Sequence, residues 1–355
     1  MKCVGVYVGL CRWVWLVCGL VPVRQQVPGL LGFVPRRSLV WLVFENKNDG
    51  CVKFSARVDF ERDADGEPLP AMAAAVRRLA EVSRRGENGP ATPVVAVVVD
   101  ERLSRDDVRH RRWMREVASD AETQGCALHA GFVVAAVTEG ERWSTVWGPE
   151  CGVWSGLTVG DPFTSPTAVA AAVRHGKTVA RDREHIGPEL SPEPCSCGRC
   201  GTDTEAPIAD VTAAVRAVYA LLDRASITCG EAESVGRTIR HLDARDALLT
   251  FAASDRCNDA ERLWTSVARQ TQGAARASAA TMLAHLYYLH GEGAVAGLML
   301  DAALNADPEW SFARLLDMAL QNGMRPEYLW QLVDDSVSAL TRCGVEVSVI
   351  RPEFC

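Results

Sequence analysis

Chemistry in this chain can be read first from three cysteines. Cys195-x-Cys197-x-x-Cys200 lies on a glycine-containing stretch, and thiolates so spaced can fill three of the four positions of a tetrahedral zinc site. The fourth ligand would be Cys151, His185 or Cys229. Zinc is the cofactor this spacing allows, ahead of an iron–sulfur cluster. The plainer alternative is three reduced thiols in a flexible linker. A second spot is Asp100-Glu101, directly after the apolar run Pro93–Val99. Ligands of open α/β sheets gather beyond the carboxyl ends of parallel strands, and acids there can hold a metal, a ribose hydroxyl or a proton in transit. The competing reading is that the chain has simply reached water. Arg57 and Asp59, one pleat apart, read as a structural ion pair.

Other patterns fall short. Gly176-Lys177-Thr178 lacks the upstream glycine of a phosphate loop, that position being Ala171. Gly291-x-Gly293-x-x-x-Gly297 reads as a helix–helix turn with a close helix contact. His110, His129, His175, His185, His241, His285 and His290 show no ligand spacing.

Those residues must be positioned by elements that the hydropathy pattern announces. Ser38–Phe44 reads as a buried strand. In Cys51–Phe60, Val52, Phe54, Ala56, Val58 and Phe60 share one face, while Lys53, Ser55, Arg57 and Asp59 share the other. That alternation predicts a half-solvated antiparallel partner, hence a hairpin. Leu69, Met72, Val76, Leu79 and Val82 repeat at helical spacing up to Gly86. Pro93–Val99 is apolar on both faces, as a central parallel strand would be. A helix over about Arg105–Gln124 and a strand over Leu128–Val137 complete an order ββαβαβ. The fold class is therefore α/β, a mixed sheet with packed helices, followed by an all-α domain. In that second part Ile208, Val211, Val215, Val218, Leu222 and Ala225 form one stripe. Val295, Leu298, Met299 and Ala302 form another, and Phe312, Leu315, Leu316 and Ala319 a third, with Val345–Ile350 a short late strand. The layout resembles a helical repeat, and Tyr287, Tyr288, Trp310, Phe312, Tyr328 and Trp330 either line a groove for a protein partner or fill the interior.

Composition narrows the rest. The chain has 355 residues and a net charge of −7, placed unevenly. Residues 1–200 carry 25 basic and 24 acidic side chains, residues 201–355 carry 13 and 21. No basic face is evident, which argues against nucleic acid, and the acidic second half favours a basic partner segment. Thirteen scattered cysteines fit reduced thiols in a cytoplasm better than a secreted disulfide scaffold. Residues 3–23 are almost continuously apolar, but Arg12 and Pro22 interrupt them. They rank first as a start-site extension or irregular packed segment, second as a weak membrane anchor, last as a signal peptide.

Two stretches carry a family likeness. Val27–Phe44 (VPGLLGFVPRRSLVWLVF) with Ala56–Phe60 (ARVDF), and Leu289–Glu327 with its Gly-x-Gly-Ala turn and Ala-Asp-Pro cap, resemble the two ends of the actinobacterial family known as domain of unknown function 4192. Arg142-Trp143, Cys151-Gly152 and Ser165–Val173 fall between them in the expected order. The resemblance spans roughly Val27 to Val333 and implies no catalytic residues. Two departures stand out: members tend to open with a helix where this chain has Pro22 and Pro28, and many have a cysteine shortly before Cys151, where Trp147 stands here. The expected organisation is an apolar extension (1–26), a mixed α/β domain (27–185), a Cys/Pro-rich linker (186–206) and a helical-repeat-like domain (207–355). The functional expectation is a cytoplasmic, non-catalytic binding or scaffold protein. The rival is an enzyme of unknown reaction with its site near Asp100.

Overall fold

The computed structural model describes residues 5–7, 23–44, 52–84, 92–102, 108–148, 154–158, 160–175, 178–193 and 208–351. The chain divides into two compact units, Met1–Ile186 and Gly187–Glu353.

The first unit is built on a seven-stranded mixed sheet. Its strands are β1 (Gly5–Tyr7), β2 (Ser38–Phe44), β3 (Val52–Asp59), β4 (Thr92–Val99), β5 (Cys126–Val134), β6 (Arg142–Trp147) and β7 (Trp154–Thr158). The spatial order is β1-β3-β2-β4-β5-β6-β7. Among the described strands β4 and β5 form the one parallel pairing, joined by helix α3 (Arg109–Thr123), and the other strand pairings are antiparallel. A parallel pair needs a crossover, and a helix supplies it. Leu39, Trp41 and Val43 of β2, Phe54, Ala56 and Val58 of β3 and Val94, Ala96 and Val98 of β4 form a single apolar face. Against it pack α2 (Pro70–Arg84), through Met72, Val76 and Leu79, and α3, through Trp113, Met114 and Val117. The Trp41 indole keeps its hydrogen bond even there, donating to Ser83 Oγ on α2 at 3.2 Å.

The opposite face of these strands is also covered. Val40, Leu42, Val95, Val97 and Val99 are buried, and so are Ser55 and Arg57. The half-solvated strand expected at residues 51–60 is thus corrected: β3 is a central strand with Ser55 and Arg57 of its polar face buried. Arg57 donates to Ser38 Oγ at 2.8 Å and pairs with Asp59 at 2.5 Å.

The opening helix, expected to be missing here, is present as α1 (Val23–Leu31), with Pro28 inside it. Tertiary bonds offset the lost N–H. The Gln26 side chain accepts from the Thr167 amide at 3.1 Å, and the Thr167 hydroxyl donates to the Gln26 carbonyl at 2.8 Å. These bonds tie α1 to α4 (Pro166–His175). Gly29 stands at the crossing, where an added Cβ would come within 2.3 Å of the Ala168 nitrogen. Of the apolar run at residues 3–23, Gly5–Tyr7 forms the edge strand β1 and Val23 opens α1, while residues 3–4 and 8–22 lie outside the described residues. Among the described residues no helix is long and apolar enough to cross a membrane.

The second unit is helical: α5 (Val211–Leu221), α6 (Cys229–Arg240), α7 (Leu242–Leu248), α8 (Cys257–Gln270), α9 (Gly273–Leu289), α10 (Gly293–Ala306), α11 (Ser311–Gln321) and α12 (Trp330–Arg342). The segment 187–193, expected as linker, packs here: Glu193 donates its amide to Arg269 and pairs with its guanidinium at 2.7 Å, and Arg276 donates to the Leu190 carbonyl. The arrangement is not a row of pairs. Helix α9 is buried nearly all round and touches α6, α8, α10 and α11, as a helix without a polar face must be. Its end at Gly291 (φ +77) is closed by Gly291 N to Tyr288 O and Glu292 N to Tyr287 O, and Gly323 (φ +64) closes α11 in the same way. Glycine is favoured at both positions because the chain turns into left-handed space. The expected strand at Val345–Ile350 is an isolated bridge, Ser254 to Val349.

The central helix also buries His285 with neither ring nitrogen hydrogen-bonded. Burial, assisted by the nearby charges of His290 and Arg245, pushes its pKa down from 6.5 to about 4. Between those values the unfolded chain binds more protons than the folded one. Stability contributed by keeping this ring neutral is complete above pH 6.5 and falls as pH drops towards 4, by on the order of 3 kcal/mol over the window. Urea denaturation from pH 7.5 to 4.5 should show this loss, and His285→Leu should remove most of it while costing little at pH 7.5.

Candidate functional site

The site grows from the pleat. Side chains alternate along a strand, so the apolar series Val94, Ala96, Val98 continues to residue 100 and the series Phe54, Ala56, Val58, Phe60 continues to residue 62. Ser38 of β2 pairs with both Asp59 and Val99. Strands β3 and β4 therefore run in the same direction and end at one edge of the sheet. Arg62 and Asp100 emerge there on the helix-covered face, and the first turn of α3 brings His110 beside them.

Asp100 is completely buried, which corrects the reading that this acid marks the chain's arrival in water. Its Oδ1 accepts from the Arg102 amide at 3.1 Å and from Arg102 Nε at 2.9 Å. Its Oδ2 lies 2.6 Å from Arg62 Nη2, off the direction of a good hydrogen bond, so this contact is an ion pair. His110, also buried, stands 3.8 Å from the same oxygen and touches Arg62. The Phe60 ring stacks on His110 at 6.2 Å and lies under the Arg62 guanidinium at 5.7 Å. Burial would raise the Asp100 pKa, but the adjacent His110 ring, the hydrogen bonds from Arg102 and the charge of Arg62 outweigh it. The carboxyl is held far below the usual carboxylate range.

The edge is rich in guanidinium. Arg36, Arg37, Arg57, Arg62 and Arg102 stand there against Asp59, Asp100 and Glu101. Arg36 and Arg37 are exposed, and Arg37 is the one non-glycine among the described residues with positive φ, +39°. Such a backbone costs roughly 1 kcal/mol for an L-residue. Glu101, unlike its neighbour, is exposed and meets Arg37 Nε at 3.5 Å. Sequence reasoning singled out Asp100 and Glu101 but missed Arg62, Arg102 and His110. Strand parity carried to residue 62 would have found the first of these.

The thiol cluster Cys195, Cys197 and Cys200 lies outside the described residues, as does Cys151. Of the other proposed ligands, His185 is exposed beside Asp182, 2.5 Å away, and Cys229 opens α6. Among the described residues no three His, Cys, Asp or Glu side chains are grouped to hold a metal. In the helical unit Tyr287, Tyr288, Phe312 and Trp330 are buried in the interior, and Trp310 is half-buried. Tyr328 is exposed.

A mixed sheet with a charged cluster at its carboxyl edge, followed by an all-helical unit, defines a two-part protein of α/β and all-α type. The chain belongs to the family described as domain of unknown function (DUF4192), whose model matches residues 24–327. No curated protein and no solved structure matches it significantly.

Removing one partner of a buried ion pair leaves the other charge uncompensated. Asp100→Ala removes the buried carboxylate that Arg62, whose side chain is 5% exposed, and Arg102 both meet, and should cost roughly 3–5 kcal/mol in urea denaturation. That is comparable to Val97→Asp, which places an unpaired carboxylate between two dry faces.

Proposed function

We propose that this is a non-catalytic binding protein whose α/β unit receives an anionic small molecule at the Asp100 edge of the sheet. The observation that carries the reading is the buried Asp100 carboxylate bridging Arg62 and Arg102. A general base needs a pKa near the working pH, whereas this carboxylate is held ionised far below it, which supports a positioning role over proton transfer. What it positions is guanidinium, the group best shaped for carboxylate and phosphate. The strained Arg37 backbone, aiming a further exposed arginine to the same edge, supports the reading too. The described cysteines Cys126, Cys229, Cys257 and Cys343 are all unbridged, which fits a reducing, cytoplasmic setting.

Inorganic phosphate, pyrophosphate and a dicarboxylate such as succinate should be tested by thermal shift. At least one should raise the melting temperature, less so at high salt, and Arg37→Ala should abolish the rise without lowering basal stability. No shift with any of the three would overturn the assignment.

A second reading, a protein partner on the helical unit, rests on Leu315, Met318 and Tyr328, exposed at 57%, 56% and 64%. Leu315 and Met318 stand three residues apart on α11 and so share one face of it. Asp317, Glu327, Asp334 and Asp335 accompany them in sequence, so a basic segment is the complementary partner. Capture of co-purifying proteins by wild type but not by Leu315→Ser/Met318→Ser, weakening with salt, is the expected result.

A further inference from the structure

The arginine-rich edge of the sheet holds an exposed anion of its own. Ser38 Oγ donates to the Arg36 carbonyl at 2.6 Å, and the Phe60 amide donates to the Arg37 carbonyl at 2.7 Å. These bonds grip the backbone on both sides of the positive-φ bend and hold it against the end of β3. Arg37 is thereby presented at the edge in a conformation that an L-residue does not favour. Across from it, the Arg102 amide and Nε both donate to Asp100 Oδ1. That clamp closes a tight turn over residues 100–102 with Glu101 at its tip. Asp100 points inward and is fully buried. Glu101 points outward and brings its carboxylate to 3.5 Å from Arg37 Nε.

We propose that Glu101 is a tethered competitor for the anion site: its carboxylate occupies Arg37, and an incoming phosphate or carboxylate group must displace it. This role rests on the reading of the edge as an anion site and adds what sets its affinity. The contact has the chemistry of the ligand it precedes, a carboxylate on a guanidinium. It also has the strength a competitor needs. The two side chains are 65% and 55% exposed, and an exposed ion pair contributes at most about 1 kcal/mol, so a ligand can open it. A structural lock would be enclosed, as the Arg62–Asp100 pair is, at 5% and 0%. Because Glu101 is tethered one residue from the Asp100 clamp, its carboxylate is present at a high effective concentration however dilute the protein. It can leave Arg37 by rotating about its own side-chain bonds while Asp100 and Arg102 keep their hydrogen bonds.

Isothermal titration of the full chain with phosphate, pyrophosphate and succinate at low salt tests this. Glu101→Gln should bind at least one of the three about three- to five-fold tighter than wild type, the value of an exposed ion pair that no longer has to be broken. Glu101→Asp keeps the charge but draws it back by one methylene, and should show part of that gain. Glu81→Gln removes an exposed carboxylate from α2 and should bind as wild type does. An anion that binds Glu101→Gln no tighter than wild type, a Glu101→Asp no different from wild type, or an equal gain in Glu81→Gln would each overturn the competitor while leaving the anion site standing. Binding of none of the three to wild type or Glu101→Gln removes the site itself, and the competitor with it.

Discussion

Strands β2 and β4 are dry on both faces, and that constraint governs the α/β unit. An apolar strand buried on both sides can end only where the chain meets water or where a polar side chain finds a partner in the interior. At Asp100 the second solution holds. Strand parity sends the carboxylate under the first turn of α3, so its charge must be matched locally. Arg62 reaches it from the end of β3 and Arg102 from the turn after β4. The loops beyond two parallel-running strands and the start of a helix are thereby pinned to one buried charge. The arrangement also decides what the carboxylate can do: ionised and enclosed, it orients guanidinium groups and does not shuttle protons.

The helical unit depends on a different constraint. Helix α9 lies at its centre with almost no polar face, so neighbours must enclose it on every side. Glycine-closed ends at Gly291 and Gly323 let the chain reverse within a few residues and keep successive helices adjacent. Close packing also has costs. His285 sits in this core without a hydrogen bond and is tolerated only while neutral. Gly236 is needed where α6 meets α9, since an added Cβ would stand 2.9 Å from the Ala275 methyl.

The same central helix is tied to α8 at its far end, where Tyr287 meets Glu261 and His290 meets Cys257. Tyr287 and His290 lie three residues apart, while Cys257 and Glu261 lie four apart on α8, so two antiparallel helices meet through matched pairs. Neither pair is visible in the spacing of histidines and cysteines along the chain, because each joins residues that are distant in sequence and adjacent only across a helix interface.

By itself the sequence determined the elements and their class. Apolar runs at Ser38–Phe44 and Pro93–Val99, alternation over Cys51–Phe60 and helical stripes such as Phe312, Leu316 and Ala319 are local signals, fixed by the periods of strand and helix. The turn glycines Gly291 and Gly323 were legible for the same reason, since left-handed backbone selects its residue. Only the tertiary structure decided what those elements face. Alternation distinguished two sides of β3 but not that Ser55 and Arg57 on the polar side would be buried. Helical stripes marked α10 and α11 but not that α9, buried nearly all round, is central, nor that Leu315 stays exposed. Asp100 read as solvated because hydrophobicity along the chain records what is buried on average. Whether a single carboxylate is enclosed depends on Arg62, Arg102 and His110 arriving from three separate segments, and no local pattern encodes that convergence.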